Sequence, residues 1–275
     1  MAIEVFTAAE YRSAQLNRDS IAIFGPYGSG KTALLKTLPP DHTACVDIEA
    51  GLNTVRYWEG LRIKIANFRD FQDLVAMIAG PDLSAGPNEW FCREHFEAVR
   101  RQYAGSRVEQ AAARLAIFVD SISDLTRLAF KHAKQQPGAF SERTNRPDLR
   151  SAYGILATEV ILSLKHLQQA RGKKIIFSGL LEKVTDDFGR VSWVPQMEGS
   201  KAGRELPGIV DQVCTLHYFD HDEAGAWAFN ESAFERRLVC QSGNPWALPA
   251  KDRSGNLDLT EPPDLNALLT KINCK

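Results

Sequence analysis

Gly25, Pro26, Tyr27, Gly28, Ser29, Gly30, Lys31 and Thr32 run consecutively and fit the spacing G-x-x-x-x-G-K-[ST]. The residue types suggest their chemistry. Glycines let backbone N–H groups converge on a polyphosphate with no Cβ in the way. A helix start just beyond, with Ala33 in its first turn, adds a partial positive charge. Lys31 is expected to reach the β- and γ-phosphates of a nucleotide, and the Thr32 hydroxyl to ligate Mg²⁺.

Two carboxylates complete the set. Asp120 ends the apolar run LAIFVD. A carboxylate at the C-terminal end of a buried parallel strand sits where open α/β sheets take ligands, so Asp120 is a second Mg²⁺ ligand, direct or through water. The competing reading is a cap on the helix that follows. Glu49 comes just after the run TACVDI, two residues beyond Asp47. Hydrolysis needs a carboxylate that orients and deprotonates water near the γ-phosphate. Ser121, not glutamate, follows Asp120, so that base must come from elsewhere, which points to Glu49. EAGLN also reads as an ordinary surface turn.

The elements that must position these residues alternate. Strands are expected at 20–25, 43–48, 62–68, 115–120 and 173–179, and helices at 31–38, 69–79, 124–135 and 148–170. That alternation predicts an α/β fold with a mainly parallel sheet flanked by helices. A helical insertion is expected at about 80–114, and a mobile loop at 136–147. After residue 180 the pattern changes to a hairpin over 183–194, later strands at 210–219 and 236–242, and a final helix near 263–272. The layout is one domain over 1–275, with antiparallel β additions in a C-terminal β/α extension of about 210–275.

The chain has 275 residues, 44% of them hydrophobic, and a formal net charge of -1. It is long enough to bury a core, and no bulk basic field points to nucleic acid. Any such site must be local. The stretch 127–150 carries six cations against two acids, among them Arg143, Arg146 and Arg150, with Phe140 in the middle of a loop. Cations beside an exposed aromatic suit a single strand, although a solvated helix face has the same composition. Residues 182–205 hold four cations against five acids, yet SKAGR sets Lys201 and Arg204 beside two glycines. That segment suits phosphate, either of DNA or of a neighbouring subunit's nucleotide, or it is only a solvated helix start. No apolar stretch approaches a membrane span, and the first fifteen residues lack the features of a secretory leader. Five scattered cysteines, with no CxxC pair, read as reduced thiols of a cytosolic protein, Cys214 and Cys240 being candidate neighbours.

VDIEAGLN and LAIFVDSISDL, together with the glycine-rich loop, resemble the corresponding segments of the RecA family. With EGSKAGRELPGIVDQV and KDRSGNLDLTEPPDLNALL, the chain is similar to the compact RecA-core ATP-binding proteins of bacteriophages. The resemblance spans about 20–270. It implies a RecA-like P-loop ATPase core with Gly25, Gly30, Lys31, Thr32, Glu49 and Asp120 in the site, and ATP and Mg²⁺ as ligands. It further implies a homo-oligomer acting on single-stranded DNA in recombination or annealing, with a single-strand-binding protein as a further partner, in the host cytoplasm. One departure stands out. Related enzymes often end the strand equivalent to KKIIFSG on a polar γ-phosphate sensor, whereas here Gly179, Leu180 and Leu181 follow. Two other functions share the loop: a small-molecule phosphotransferase, a class that usually adds an arginine-rich lid for which 143–150 could be misread, and a nucleotide-dependent binding module with little hydrolysis.

Overall fold

The computed structural model describes Thr7, Ala9, Glu10 and residues 18–274. The reading of the first fifteen residues as lacking a leader falls almost wholly outside that set. Among the described residues, eleven strands join in one sheet. In chain order the first five are β1 (Asp19–Gly25), β2 (Thr43–Asp47), β3 (Leu61–Lys64), β4 (Ala116–Asp120) and β5 (Lys174–Thr185). They are followed by β6 (Val191–Pro195), β7 (Gln212–His221), β8 (Trp227–Phe229), β9 (Glu235–Val239), β10 (Lys251–Asp252) and β11 (Thr260–Glu261). The spatial order is β11-β9-β7-β1-β5-β4-β2-β3. The run from β7 to β3 is parallel, while β9, β11, β8, β10 and β6 pair antiparallel. This is a mixed α/β sheet, mainly parallel with antiparallel additions, as the alternation predicts.

Side chains alternate across each strand, so one sheet builds two cores. On one face Phe24, Val46, Val119 and Phe177 meet three helices: α1 (Phe68–Ala79), α4 (Ile122–Ala133) and α5 (Leu149–Gln168). The 80–114 segment adds α2 (Arg93–Tyr103) and α3 (Arg107–Ala112) to this layer, where Phe91 stacks on His166 at 4.4 Å. The helix α6 (Ser200–Ile209) lies against α5 on the same side. On the other face Ile21, Ile23, Phe118 and Ile176 meet the 3-10 turn Thr32–Thr37 and α7 (Leu265–Ile272).

Two expectations need correction. The segment after the glycine-rich loop is a 3-10 turn rather than an α-helix, held by i→i+3 bonds such as Leu34 N–H to Lys31 O at 3.1 Å. Pro39 and Pro40 stop it after six residues, too few for a stable α-helix, and Leu265 N–H caps its end on Thr37 Oγ1 at 2.9 Å. Phe140 is half-buried rather than exposed. It forms an isolated bridge with Pro147, and the loop closes on itself through Asp148 N–H to Ala139 O at 2.7 Å. The chain's two opposed thiols behave as expected: Cys214 and Cys240 face each other as free cysteines, with sulfurs 3.6 Å apart.

The strand that separates β1 from β4 is tightly set at Gly179. A Cβ there would lie 2.7 Å from Phe24 Cε1 and 2.9 Å from Ile122 Cγ2. Gly179→Ala should therefore lower unfolding free energy by about 1–3 kcal/mol, because a well-filled core has no room for a methyl. Urea unfolding at equal m-value checks this.

Candidate functional site

The glycine-rich loop leaves the C-terminal end of β1 with Gly28 and Gly30 at φ of 78° and 92°, the left-handed region that favours glycine. Lys31 is nearly buried. Its ammonium curls back to donate to Gly25 O and Pro26 O, each at 2.9 Å. Burial pushes its pKa down to about 8, against the pull of the Asp120 and Glu49 carboxylates. Ser29 is wholly buried, and its hydroxyl has no hydrogen-bond partner.

β4 lies two strands from β1, with β5 between them, and this brings Asp120 to the loop. Thr32 Oγ1 donates to Asp120 Oδ2 at 2.7 Å, and the Ser178 hydroxyl of β5 donates to Oδ1. Burial raises the Asp120 pKa, and the Ser178 and Thr32 bonds oppose it. The capping alternative fails here, because Ser121, not Asp120, caps α4 by accepting from Asp124 N–H. The same aspartate anchors the Glu49 segment. Its main-chain oxygen accepts from Ile48 N–H at 2.7 Å and Glu49 N–H at 3.2 Å. Asp47 does not join Glu49 in the site. Its carboxylate turns back to accept from Ala50 N–H at 2.8 Å. Glu49 is exposed. Partial desolvation raises its pKa, and Asp120 and Asp124 add to the rise.

A Mg²⁺ ion in such a site takes one or two carboxylates plus substrate phosphates, not an all-protein cage. The donor set fits that pattern. One hydroxyl and one carboxylate are already in contact, beside an orphaned buried hydroxyl, and no group of three His, Cys, Asp or Glu among the described residues forms a cage of its own.

Sequence reasoning missed Ser178. Ser178 lies within the expected strand 173–179, which runs on to Thr185, and its hydroxyl faces Asp120 from inside the strand rather than from its end. A lone hydroxyl in KIIFSG was the available signal. It also missed Tyr218 and Arg236, which approach the loop from the C-terminal strands.

The family model described as an AAA domain matches residues 17–254. The chain belongs to the AAA domain family. No curated protein sequence matches this AAA domain. Among solved structures, an ATPase from the type III secretion system of pathogenic bacteria shares 16% identity, over 72% of this chain and 50% of that one, with a TM-score of 0.37. A KaiC-like protein from Pyrococcus horikoshii shares 13%, over 80% and 78%, with a TM-score of 0.34. The conjugation coupling protein TcpA, solved with an ATP analogue, shares 14%, over 74% and 50%, with a TM-score of 0.35. The AAA domain thus spans about half the length of two of these three.

A second feature lies away from the phosphate loop. The two candidate anion surfaces converge: Arg150 and Tyr153 of α5 line one cavity of about 970 Å³ with Lys201 and Arg204 of α6. Gly199, at φ 79°, lets the start of α6 press against α5, where a Cβ would fall 2.8 Å from Leu156 Cδ2. Acids temper this patch, since Glu205 lies 3.9 Å from Lys201 and Tyr153 OH donates to Glu198 at 3.0 Å. Arg143 and Arg146 remain exposed on the 141–147 loop and do not line the cavity. Among the described residues, no helix is long and apolar enough to cross a membrane.

Proposed function

We propose that this domain binds and hydrolyses ATP with Mg²⁺ and couples that cycle to single-stranded DNA. The observation that carries the ATPase reading is the double attachment of Asp120, whose carboxylate holds Thr32 while its carbonyl holds the Glu49 backbone. The backbone N–H groups of residues 28–33 would cradle the phosphates, and Lys31 would exchange its two carbonyl partners for phosphate oxygens. Thr32 and Asp120 would hold Mg²⁺, which neutralises phosphate charge when bound. Glu49 would orient the attacking water and accept its proton.

The DNA reading rests on the converging cations of α5 and α6 and on the phage-like segments in the sequence. A single strand's phosphates would track Arg150, Lys201 and Arg204, with Tyr153 offering a ring to a base. Assembly into a homo-oligomer, a single-strand-binding protein as partner and a cytoplasmic site of action belong to the same reading. The test is fluorescence anisotropy with a labelled oligothymidylate and ATP. Wild-type affinity should fall roughly twentyfold between about 50 and 200 mM salt, as for a strand with about three neutralised phosphates. Lys201→Glu should weaken binding about tenfold at low salt. A wild type that leaves the oligonucleotide unbound at low salt would end the DNA reading and leave the ATPase reading intact.

A further inference from the structure

A phosphate-binding loop works by facing N–H groups inward, and a planar trans peptide then faces the preceding carbonyls outward. Those outward carbonyls need partners, and their partners decide how firmly the loop holds its shape. Lys31 donates to Gly25 O and Pro26 O, contacts it would give up for phosphate oxygens. Two carbonyls further along the loop are held from a different part of the chain. Tyr218 OH donates to Gly28 O at 2.8 Å, and Arg236 Nη1 reaches Ser29 O at 3.5 Å. Tyr218 on β7 and Arg236 on β9 are register partners, directly opposite each other in the antiparallel pair.

Gly30 shows how closely the arginine seats. A Cβ at this position would lie 2.0 Å from Arg236 Nη1. At φ of 92° that Cβ would point toward the preceding carbonyl, so the guanidinium sits on the outer, carbonyl side of the Ser29–Gly30 peptide. The inner side carries Gly30 N–H, the group a phosphate would meet. A cation on the carbonyl oxygen polarises the peptide and makes its N–H a stronger donor. Ring contacts back the pair on the opposite face of these strands. Arg237 lies over the Trp227 ring at 4.6 Å, and Trp227 meets His221 at 4.0 Å between ring centres.

We infer that Tyr218 and Arg236 are positioning residues for nucleotide binding: together they brace the loop from its outer face, and Arg236 adds positive charge behind the phosphate-facing N–H groups. They touch no reacting atom and act through the Gly28–Ser29 and Ser29–Gly30 peptides. The inference rests on the nucleotide-binding reading above. It adds that the antiparallel β7–β9 pair, absent from the loop motif, helps set nucleotide affinity.

The experiment is titration of a fluorescent ADP analogue against the full chain and its Tyr218→Phe, Arg236→Lys and Arg236→Ala variants, with nucleotide-free melting recorded for each. Arg236→Ala should weaken ADP about tenfold, the scale of a hydrogen bond to a charged group. Arg236→Lys should recover most of the loss, because it keeps the charge behind the loop. Tyr218→Phe, which keeps the ring and removes the hydroxyl, should weaken ADP about threefold. All three should melt within a few degrees of the wild type without nucleotide. The inference is overturned if Arg236→Ala binds ADP within twofold of the wild type. It is equally overturned if the loss comes with an equal loss of nucleotide-free stability that lysine does not restore. A wild type that binds no ADP would instead remove the nucleotide reading itself.

Discussion

Glu49→Gln should keep ADP and ATP affinity close to wild type while turnover at saturating ATP falls by about 10²–10⁴-fold, the usual contribution of a positioned general base. Three observations support the size of the effect. The Glu49 and Ile48 N–H groups are fixed to the Asp120 carbonyl, so the segment is tied to the strand that carries the carboxylate proposed for Mg²⁺. Desolvation, then Asp120 and Asp124, raises the Glu49 pKa, moving a weak base toward the range in which it accepts a proton from water effectively. Asp47, the other nearby acid, is held by Ala50 N–H and is not placed to substitute. The sign of the pH dependence follows. Glu49 must be ionised to act, so turnover should fall on acidification, with its acid limb above the ordinary carboxylate range. In Glu49→Gln that limb should vanish along with the rate. Steady-state phosphate release from pH 5 to 8 measures both. A glutamine variant as fast as the wild type would remove Glu49 from the chemistry while leaving phosphate binding untouched.

The parts of this site that lie within a few residues of each other, or at the ends of long apolar runs, were legible in the sequence. SIAIFG, TACVDI and LAIFVD are buried on both faces and read as unbroken apolar runs. Their C-terminal ends place Gly25, Glu49 and Asp120 along one sheet edge. The strand order was not legible, because nothing local says that β5 inserts between β1 and β4. Ser178 was therefore passed over, since its role exists only once that neighbour is known. β8, β10 and β11 span two or three residues each, too short for any period to show. Tyr218 and Arg236 stand 190 and 207 residues from the carbonyls they hold. Arg150 and Lys201 were legible as cations and not as neighbours, because the close approach of α5 and α6 depends on Gly199.

ADP affinity should fall steeply as pH rises above about 8, by roughly a hundredfold between about pH 7 and pH 10, and Lys31 should be the cause. Burial lowers this lysine's pKa to about 8. Phosphates close to the ammonium favour its charged form, so the bound pKa is higher and binding takes up a proton across the interval between the two. Near pH 7 the lysine is charged before and after, and uptake is small. Near pH 9 it should approach one proton per nucleotide. Calorimetry in two buffers of different ionisation enthalpy measures that number directly. Lys31→Met should bind ADP weakly at every pH and show no uptake. Stability gives an independent sign check. The folded pKa lies below the unfolded value of 10.5, so the charged form is disfavoured in the fold. The fold's penalty is thus fully present below pH 8 and fades as pH rises toward 10.5. At pH 7 that penalty is about 3 kcal/mol. Lys31→Met removes it but strands the buried Gly25 O, which costs about 1–3 kcal/mol, while Pro26 O keeps its bond from Ser29 N–H at 3.3 Å. The two effects offset each other at neutral pH, so melting temperature there discriminates little. The difference between the proteins should instead move in favour of the wild type as pH climbs from 8 to 10. A pH-independent difference, with no proton uptake on binding, would mean that Lys31 titrates as an ordinary solvated lysine and does not face the phosphates.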